Sequence, residues 1–207
     1  MTTLVIVRHG NTFAPGETPL RIGARTDLPL VPGGIAQARA LGGWFAGAGI
    51  RFDRAFVSPL RRTQETAALI LDDQPDPPAI EPAGWLAEID HGPDEGRTDA
   101  AVVARIGADA LAQWDERAVP PPGWLVDKES RLAAWRALYD AAEGMGGTLL
   151  IVTSNGSARF ALMAQVALHA EARALPSLKI RTGAWGEIAV EAGVARLCGW
   201  DLRPPAQ

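Results

Sequence analysis

The sequence predicts an α/β fold, in which short buried strands alternate with amphipathic helices and the strands run directly into polar residues. Two strands and one helix carry most of that prediction. Leu4-Val5-Ile6-Val7 is four apolar residues, three of them β-branched, the composition of a short buried strand. Gly147-Thr148-Leu149-Leu150-Ile151-Val152-Thr153-Ser154 is the clearest strand in the chain. Between them, Ile35, Ala38, Leu41, Gly42 and Phe45 fall on one face at helical spacing, which predicts a helix over residues 34–48. With 207 residues the chain is long enough for one domain of ordinary size with a real core.

The first strand delivers Arg8-His9-Gly10-Asn11-Thr12. In an open α/β sheet, ligands sit beyond the carboxyl ends of the strands. A cation and an imidazole placed there, before a glycine whose backbone can approach a ligand, form a phosphate site with a built-in nucleophile. Residues 13–32 carry several Pro, Gly, Thr and Asp and read as loop. Arg21 and Arg25 lie in it, each a solvated arginine or a substrate contact. Gly47 and Gly49 end the helix over residues 34–48. No Gly-x-Gly-x-x-Gly follows the first strand, so the glycines here are not a nucleotide loop.

Phe52 to Val57 reads as a second strand and leads into Ser58-Pro59-Leu60-Arg61-Arg62. Ser58 fits an N-cap and Pro59 a first helical position. Arg61 and Arg62 then lie in the first turn, the wrong end of a helix for a cation unless an anion sits between them. Ala79-Ile80-Glu81 predicts a short strand. Residues 98–144 read as helical, interrupted by Val119-Pro120-Pro121-Pro122-Gly123. Ala101, Ile106, Leu111 and Trp114 are candidates for one buried face, and Leu132, Trp135, Leu138 and Tyr139 for another. After the clearest strand a helix is expected from about residue 156 to 169, its free N–H groups pointing at a bound anion. Residues 182–190 and 195–200 alternate like a hairpin. The last five residues, with Pro204 and Pro205, are expected to fray.

Composition narrows the function. A net charge of −4 argues against a nucleic-acid surface, while a few focused arginines still suffice for a small anion. The single cysteine, Cys198, cannot form an intrachain disulfide, and His9, His91 and His169 are too scattered to make a zinc cluster with it. No metal site is expected. No signal peptide or membrane span is visible, so the expected compartment is the cytoplasm.

Several blocks together resemble the histidine phosphatase superfamily, the phosphoglycerate mutase-like enzymes. They are Arg8-His9-Gly10-Asn11-Thr12; Gly23 to Leu30 followed by Gly34 and Gln37-Ala38; Ser58-Pro59-Leu60-Arg61-Arg62; Leu86-Ala87-Glu88-Ile89-Asp90-His91-Gly92 with Glu95-Gly96; and Ser154-Asn155-Gly156. The resemblance implies a three-layer sandwich, a mostly parallel central sheet with helices on both faces. It implies one domain over residues 1–207, with a helical cap-like segment at about 98–144 that covers the pocket and selects the substrate. It implies a phosphatase that hydrolyses a phosphate monoester through a phosphohistidine, without metal or cofactor.

In that scheme His9 is the nucleophile and Glu88 the proton donor. Trp85 and Leu86 keep the Glu88 carboxyl partly dry. Arg8 and Arg62 hold the phosphoryl oxygens with Asn11, Asn155 and Gly156, and Arg61 stays outside. Thr12 and Arg21 are further substrate contacts. Two positions depart from the pattern. His91 stands where the family has an aromatic residue, and Asn155 replaces the family's second histidine. An amide still donates a hydrogen bond but without charge, so the expected activity is slowed roughly tenfold to a hundredfold. The alternatives are a catalytically degenerate phosphate-ligand-binding protein and a phosphoglycerate mutase. The scarcity of Arg and Lys clear of acidic neighbours in the middle segment weighs against the mutase. The expected partner is a phosphorylated small molecule or a phosphoprotein, bound by a monomer or homodimer. Trp85, Trp114 and Trp124 read as core packing.

Overall fold

The computed structural model describes residues 1–205. Six strands form one sheet in the order β3-β2-β4-β1-β5-β6. They are β1 (Thr2–Arg8), β2 (Arg54–Val57), β3 (Ile80–Pro82), β4 (Gly147–Thr153), β5 (Trp185–Glu191) and β6 (Val194–Leu202). The first four run parallel, while β5 pairs antiparallel with β1 and β6 antiparallel with β5. Register decides which strand ends meet. Arg8 lies opposite Thr153, and Val57 opposite Val152. The carboxyl ends of β1, β2 and β4 therefore share one edge, where His9, Ser58 and Ser154 emerge.

The alternation of side chains along a strand builds the layers. Leu4, Ile6, Leu149 and Ile151 face one side and pack with Trp135, Leu138 and Tyr139 of α5 (Lys128–Met145). Val5, Val7, Leu150 and Val152 face the other and pack with α1 (Pro32–Gly47) and α2 (Arg61–Leu71) through Leu41, Phe45, Ala67 and Ile70. Helices thus cover both faces of a mostly parallel sheet, the three-layer arrangement expected.

Several local expectations are corrected by long-range contacts. Ile35 is exposed, and Gly34 takes its place at the buried face of α1. A Cβ at Gly34 would sit 2.2 Å from the Asn11 carbonyl oxygen, and one at Gly10 would sit 2.4 Å from that of Gly34. These two glycines let α1 press directly on the turn after β1. Ser58 and Pro59 do not open α2: the helix begins at Arg61 with Leu60 as N-cap. Ser58 remains in the sheet's extension, its N–H donating to Val152 O, while Thr63 Oγ1 donates to both Ser58 O and Leu60 O. The strand therefore runs further than a cap at Ser58 allows.

The middle segment is divided among α3 (Asp99–Ile106), α4 (Ala108–Arg117) and α5, with Gly107 at φ 81 separating the first two. Val102, not Ala101, is the buried residue of α3. Ile106 and Leu111 are half-buried, whereas Trp114, Trp124, Leu132, Trp135, Leu138 and Tyr139 are buried.

The helix expected over 156–169 is broken. Asn155–Ala158 forms one turn, α6; a 3₁₀ turn lies at Ala161–Met163; and α7 spans Val166–Ala172. Other groups take the backbone that a continuous helix would use. Tyr139 Oη donates to Ala161 O at 2.7 Å and Arg136 Nε to Ala164 O at 3.0 Å. Gln165, in an extended conformation, donates to Gly193 O and accepts from Ala195 N. Residues 203–205 have no regular structure, and Ala206 and Gln207, part of the tail expected to fray, lie outside the described residues. Among the described residues no helix is long and apolar enough to cross a membrane.

Candidate active site

A cavity of about 600 Å³ opens at the carboxyl edge of the sheet. Arg8, His9, Asn11, Thr12, Arg21, Glu88, Asn155 and Gly156 all line it. Of the residues expected at the site, only Arg62 lies behind this lining.

His9 is buried, with Nδ1 2.8 Å from its neighbour's carbonyl, Gly10 O. A carbonyl only accepts, so Nδ1 carries the proton and Nε2 keeps a free lone pair. The residue's backbone N–H donates to Thr153 O, and the Gly10 N–H donates to Thr66 Oγ1. Burial, then the charges of Arg8 and Arg62, hold the imidazole's pKa well below its ordinary value. The ring is therefore neutral at neutral pH, the state a nitrogen nucleophile requires.

Arg8 and Arg62 supply the positive charge. Arg8 donates through one terminal nitrogen to Ile180 O, at 2.8 Å. Arg62 is fully buried and donates to Thr26 O at 2.6 Å and Gly23 O at 3.2 Å. The Nε–H groups of both are buried without a hydrogen-bond partner among the described residues. Buried donors of this kind need an acceptor. A phosphoryl group is the acceptor that matches two guanidinium groups. Arg61, by contrast, is exposed and paired with Glu65 at 2.6 Å, outside the site as expected.

Asn155 follows β4 by two residues. Its Oδ1 accepts from the Ile180 N–H at 3.0 Å. Because that partner is a donor, the amide's orientation is settled, and Nδ2 is the end left to the cavity. Asn11 is held less directly: its backbone N–H donates to Gln37 Oε1 at 2.8 Å, and its Oδ1 accepts from the Thr182 hydroxyl.

Glu88 lines the same cavity as His9, from a buried stretch between β3 and α3. Its Oε1 accepts from the Ile89 N–H at 2.9 Å and its Oε2 from the Gly156 N–H at 3.1 Å. This corrects two expectations. The Gly156 N–H does not face a phosphate; it holds the Glu88 carboxylate, and a Cβ at Gly156 would sit 2.2 Å from Glu88 Oε1. Nor does dryness keep the carboxyl protonated. Desolvation is the largest single influence and raises its pKa, but His91, the two backbone donors and Arg62 together outweigh it, and the net direction is down. In the ligand-free protein Glu88 is a carboxylate.

Arg131 is not evident as a site residue from the sequence, because nothing in its helical context marks it. It donates to Trp85 O, Ala87 O and Ser157 Oγ and so ties the Glu88 segment to α5 and α6. Thr182 and Ile180, which orient the two asparagines, are likewise joined to them only by the fold. His91 is buried edge-on against Trp124, with ring centroids 4.6 Å apart, and lines the cavity beside Glu88. Among the described residues no group of three or more His, Cys, Asp or Glu is placed to hold a metal ion.

Comparison with known proteins bears on the family and the fold. The model of the histidine phosphatase superfamily (branch 1) matches residues 4–202. A 2,3-bisphosphoglycerate-dependent phosphoglycerate mutase of Methylobacterium sp. (strain 4-46) is 36% identical over 192 residues, covering 87% of each chain. One from Gloeobacter violaceus is 34% identical over 172 residues, covering 80% of this chain and 76% of the other. Among solved structures, the mycobacterial glucosyl-3-phosphoglycerate phosphatase superposes with a TM-score of 0.75 at 19% identity, covering 98% of this chain and 99% of its own. The α-ribazole phosphatase of Shigella flexneri gives 0.69 at 23%, covering 99% and 98%. At these identities the structural matches speak for the fold.

Proposed function

We propose that this chain, which belongs to the histidine phosphatase superfamily, hydrolyses phosphate monoesters through a phosphohistidine formed on His9. The observation that carries the reading is the state of His9: neutral, with Nδ1–H tied to Gly10 O and Nε2 free, beside two arginines whose buried Nε–H groups lack an acceptor.

Each step is assigned to one of these groups. Nε2 of His9 attacks phosphorus and the ester P–O bond breaks. Arg8 and Arg62 neutralise the charge on the phosphoryl oxygens, and the Asn155 amide adds an uncharged donor. The leaving oxygen takes its proton from Glu88. A phosphate dianion beside Glu88 raises its pKa, because a like charge disfavours the carboxylate, so substrate binding itself promotes the protonated form. Glu88 then accepts a proton from the attacking water as the P–N bond breaks, releasing phosphate and restoring His9. The chain works as one unit over residues 1–207, with the helices between about 98 and 144 forming a cap-like wall.

The test is steady-state hydrolysis of p-nitrophenyl phosphate by wild type and His9→Ala. This leaving group needs little help from Glu88. Turnover in wild type that falls at least about 10³-fold in the variant is expected, as for loss of a covalent nucleophile. Equal, near-zero rates would overturn the reading in favour of a phosphate-ligand-binding protein. A second reading, phosphoglycerate mutase, is favoured by the names of the relatives above 30% identity. Interconversion of 2- and 3-phosphoglycerate in the presence of 2,3-bisphosphoglycerate decides for it.

A further inference from the structure

Beyond the phosphate floor the cavity continues between the loop after β1 and the helix α4. Its charge there is distinctive. The cations facing this part, Arg21 and Lys179, each already meet a carboxylate, although the buried Nε–H of Arg21 has no hydrogen-bond partner among the described residues. Arg21 donates to Asp99 at 2.6 Å and lays its guanidinium over Trp124, 5.1 Å from the ring centroid. Lys179 meets Asp115 at 2.6 Å. Glu17 lines the same stretch, its carboxylate accepting from the Ala14 N–H. Three carboxylates thus face two cations. Phe13, Leu20 and Trp114 add apolar surface to the lining.

We infer that the alcohol part of the substrate carries no anionic group: the pocket takes phosphomonoesters of neutral or ammonium-bearing alcohols and discriminates against a second phosphate or a carboxylate. This rests on the phosphatase reading and names the substrate class of the same site. A second anion entering here meets cations that carboxylates already hold, and a third carboxylate besides. Apart from the buried Nε–H of Arg21, it must displace Asp99 or Asp115 to gain a partner, so it gains little and loses its hydration. A hydroxyl or an ammonium meets acceptors in the same places. The cavity's volume also suits a ligand larger than a three-carbon ester, since pockets of several hundred Å³ hold drug-sized molecules.

The test compares glycerol 3-phosphate with 3-phosphoglycerate, which differ by a CH₂OH in place of a carboxylate, with phosphoethanolamine as the cationic member. In wild type, kcat/KM for 3-phosphoglycerate is expected to lie about tenfold or more below that for glycerol 3-phosphate, the scale of one unfavourable charge contact in a partly screened site. Phosphoethanolamine is expected to equal or exceed glycerol 3-phosphate. Asp99→Asn, at an exposed helix start, frees Arg21 and should narrow the gap severalfold. Asp115→Asn does the same for Lys179, but it also removes a neighbour of the buried Arg159, so Asp99→Asn is the decisive variant. Equal or better use of 3-phosphoglycerate by wild type would overturn the inference, as would a gap untouched by Asp99→Asn. If p-nitrophenyl phosphate showed no turnover dependent on His9, the phosphatase reading would fail instead. The ratio of calorimetric affinities for the same esters would then still decide which alcohols the pocket accepts.

Discussion

The floor and the outer wall of the cavity are built in different ways. The floor stands on the sheet. His9 and Asn155 follow adjacent parallel strands whose register is fixed along their whole length, and Arg62 is locked in the first turn of α2 by two backbone carbonyls. The wall is held by side-chain pairs between distant segments: Arg21 with Asp99, Lys179 with Asp115, and Arg105 with the buried Asp94, which also accepts from Trp124 Nε1. Several of these pairs are half exposed and hence weak and screened. The difference teaches a division of labour. On the function proposed above, chemistry common to all phosphate esters rests on the rigid part, and the choice among esters on the part whose contacts are easily exchanged.

The strongest way to break that comparison is through Arg62. Arg62→Met removes a buried charge from the floor and should lower kcat by about 10² to 10³ for every ester alike, the usual cost of losing one electrostatic donor. It also takes the Arg62 donor from Thr26 O and Gly23 O, the latter keeping only the Thr26 N–H, so the melting temperature should fall as well. Steady-state rates on p-nitrophenyl phosphate and on an alkyl phosphate measure it. A loss confined to one ester would mean that floor and wall are not separate.

Gly156→Ala separates the acid from the floor. The added methyl would displace the Glu88 carboxylate, which lies in its path. Hydrolysis of alkyl phosphates, whose leaving oxygen needs a proton, should drop about a hundredfold, within the range for losing a general acid. Hydrolysis of p-nitrophenyl phosphate should change far less. Equal losses on both would place Gly156 in phosphate binding, the role its position in the sequence suggests.

These two residues show what a sequence can and cannot reveal. Arg8, His9 and Arg62 are legible because each sits within a few residues of a strand end, and strand ends are marked by local composition. Gly156 is given the wrong partner by its sequence context, because the carboxylate it serves is 68 residues away and reaches it only through the fold. Ser58 looks like a cap until Thr63 claims its carbonyl. The continuous helix over 156–169 fails for the same reason: Tyr139, Arg136 and the β5–β6 turn take hydrogen bonds that no local pattern announces. The neutralising partners Asp99 and Asp115 are hidden likewise, each lying at least 60 positions along the chain from the cation it meets.

Asn155→His tests the weakest member of the floor. A protonated histidine there gives up the acceptor that now takes the Ile180 N–H but presents a charged N–H where the amide now points. A charged donor is about twice as strong as a neutral one, so kcat should rise roughly tenfold, again for all esters. An unchanged rate would show that Asn155 does not touch the phosphoryl group.

The smallest expected effect concerns His91. This buried ring borders the floor through Glu88 and the wall through Trp124. Around it stand Glu88, Glu95 and Asp90, whose charges favour its protonation, and Arg21, which opposes it; burial is the largest influence, and the net pKa is lowered. When protonated, the imidazolium favours the Glu88 carboxylate, so His91 contributes to holding that carboxyl's pKa down. His91→Phe keeps the edge-on packing against Trp124 and removes the charge. The Glu88 pKa should then rise. For an alkyl phosphate the rate falls as pH climbs through that pKa, because the leaving oxygen loses its acid. The falling limb should therefore move to higher pH, by less than about one unit for a partly screened neighbouring charge. The limb seen with p-nitrophenyl phosphate should stay in place. A shift shared by both esters would mean that His91 acts on His9 or on phosphate binding, and the boundary between floor and wall would have to be drawn on the far side of His91.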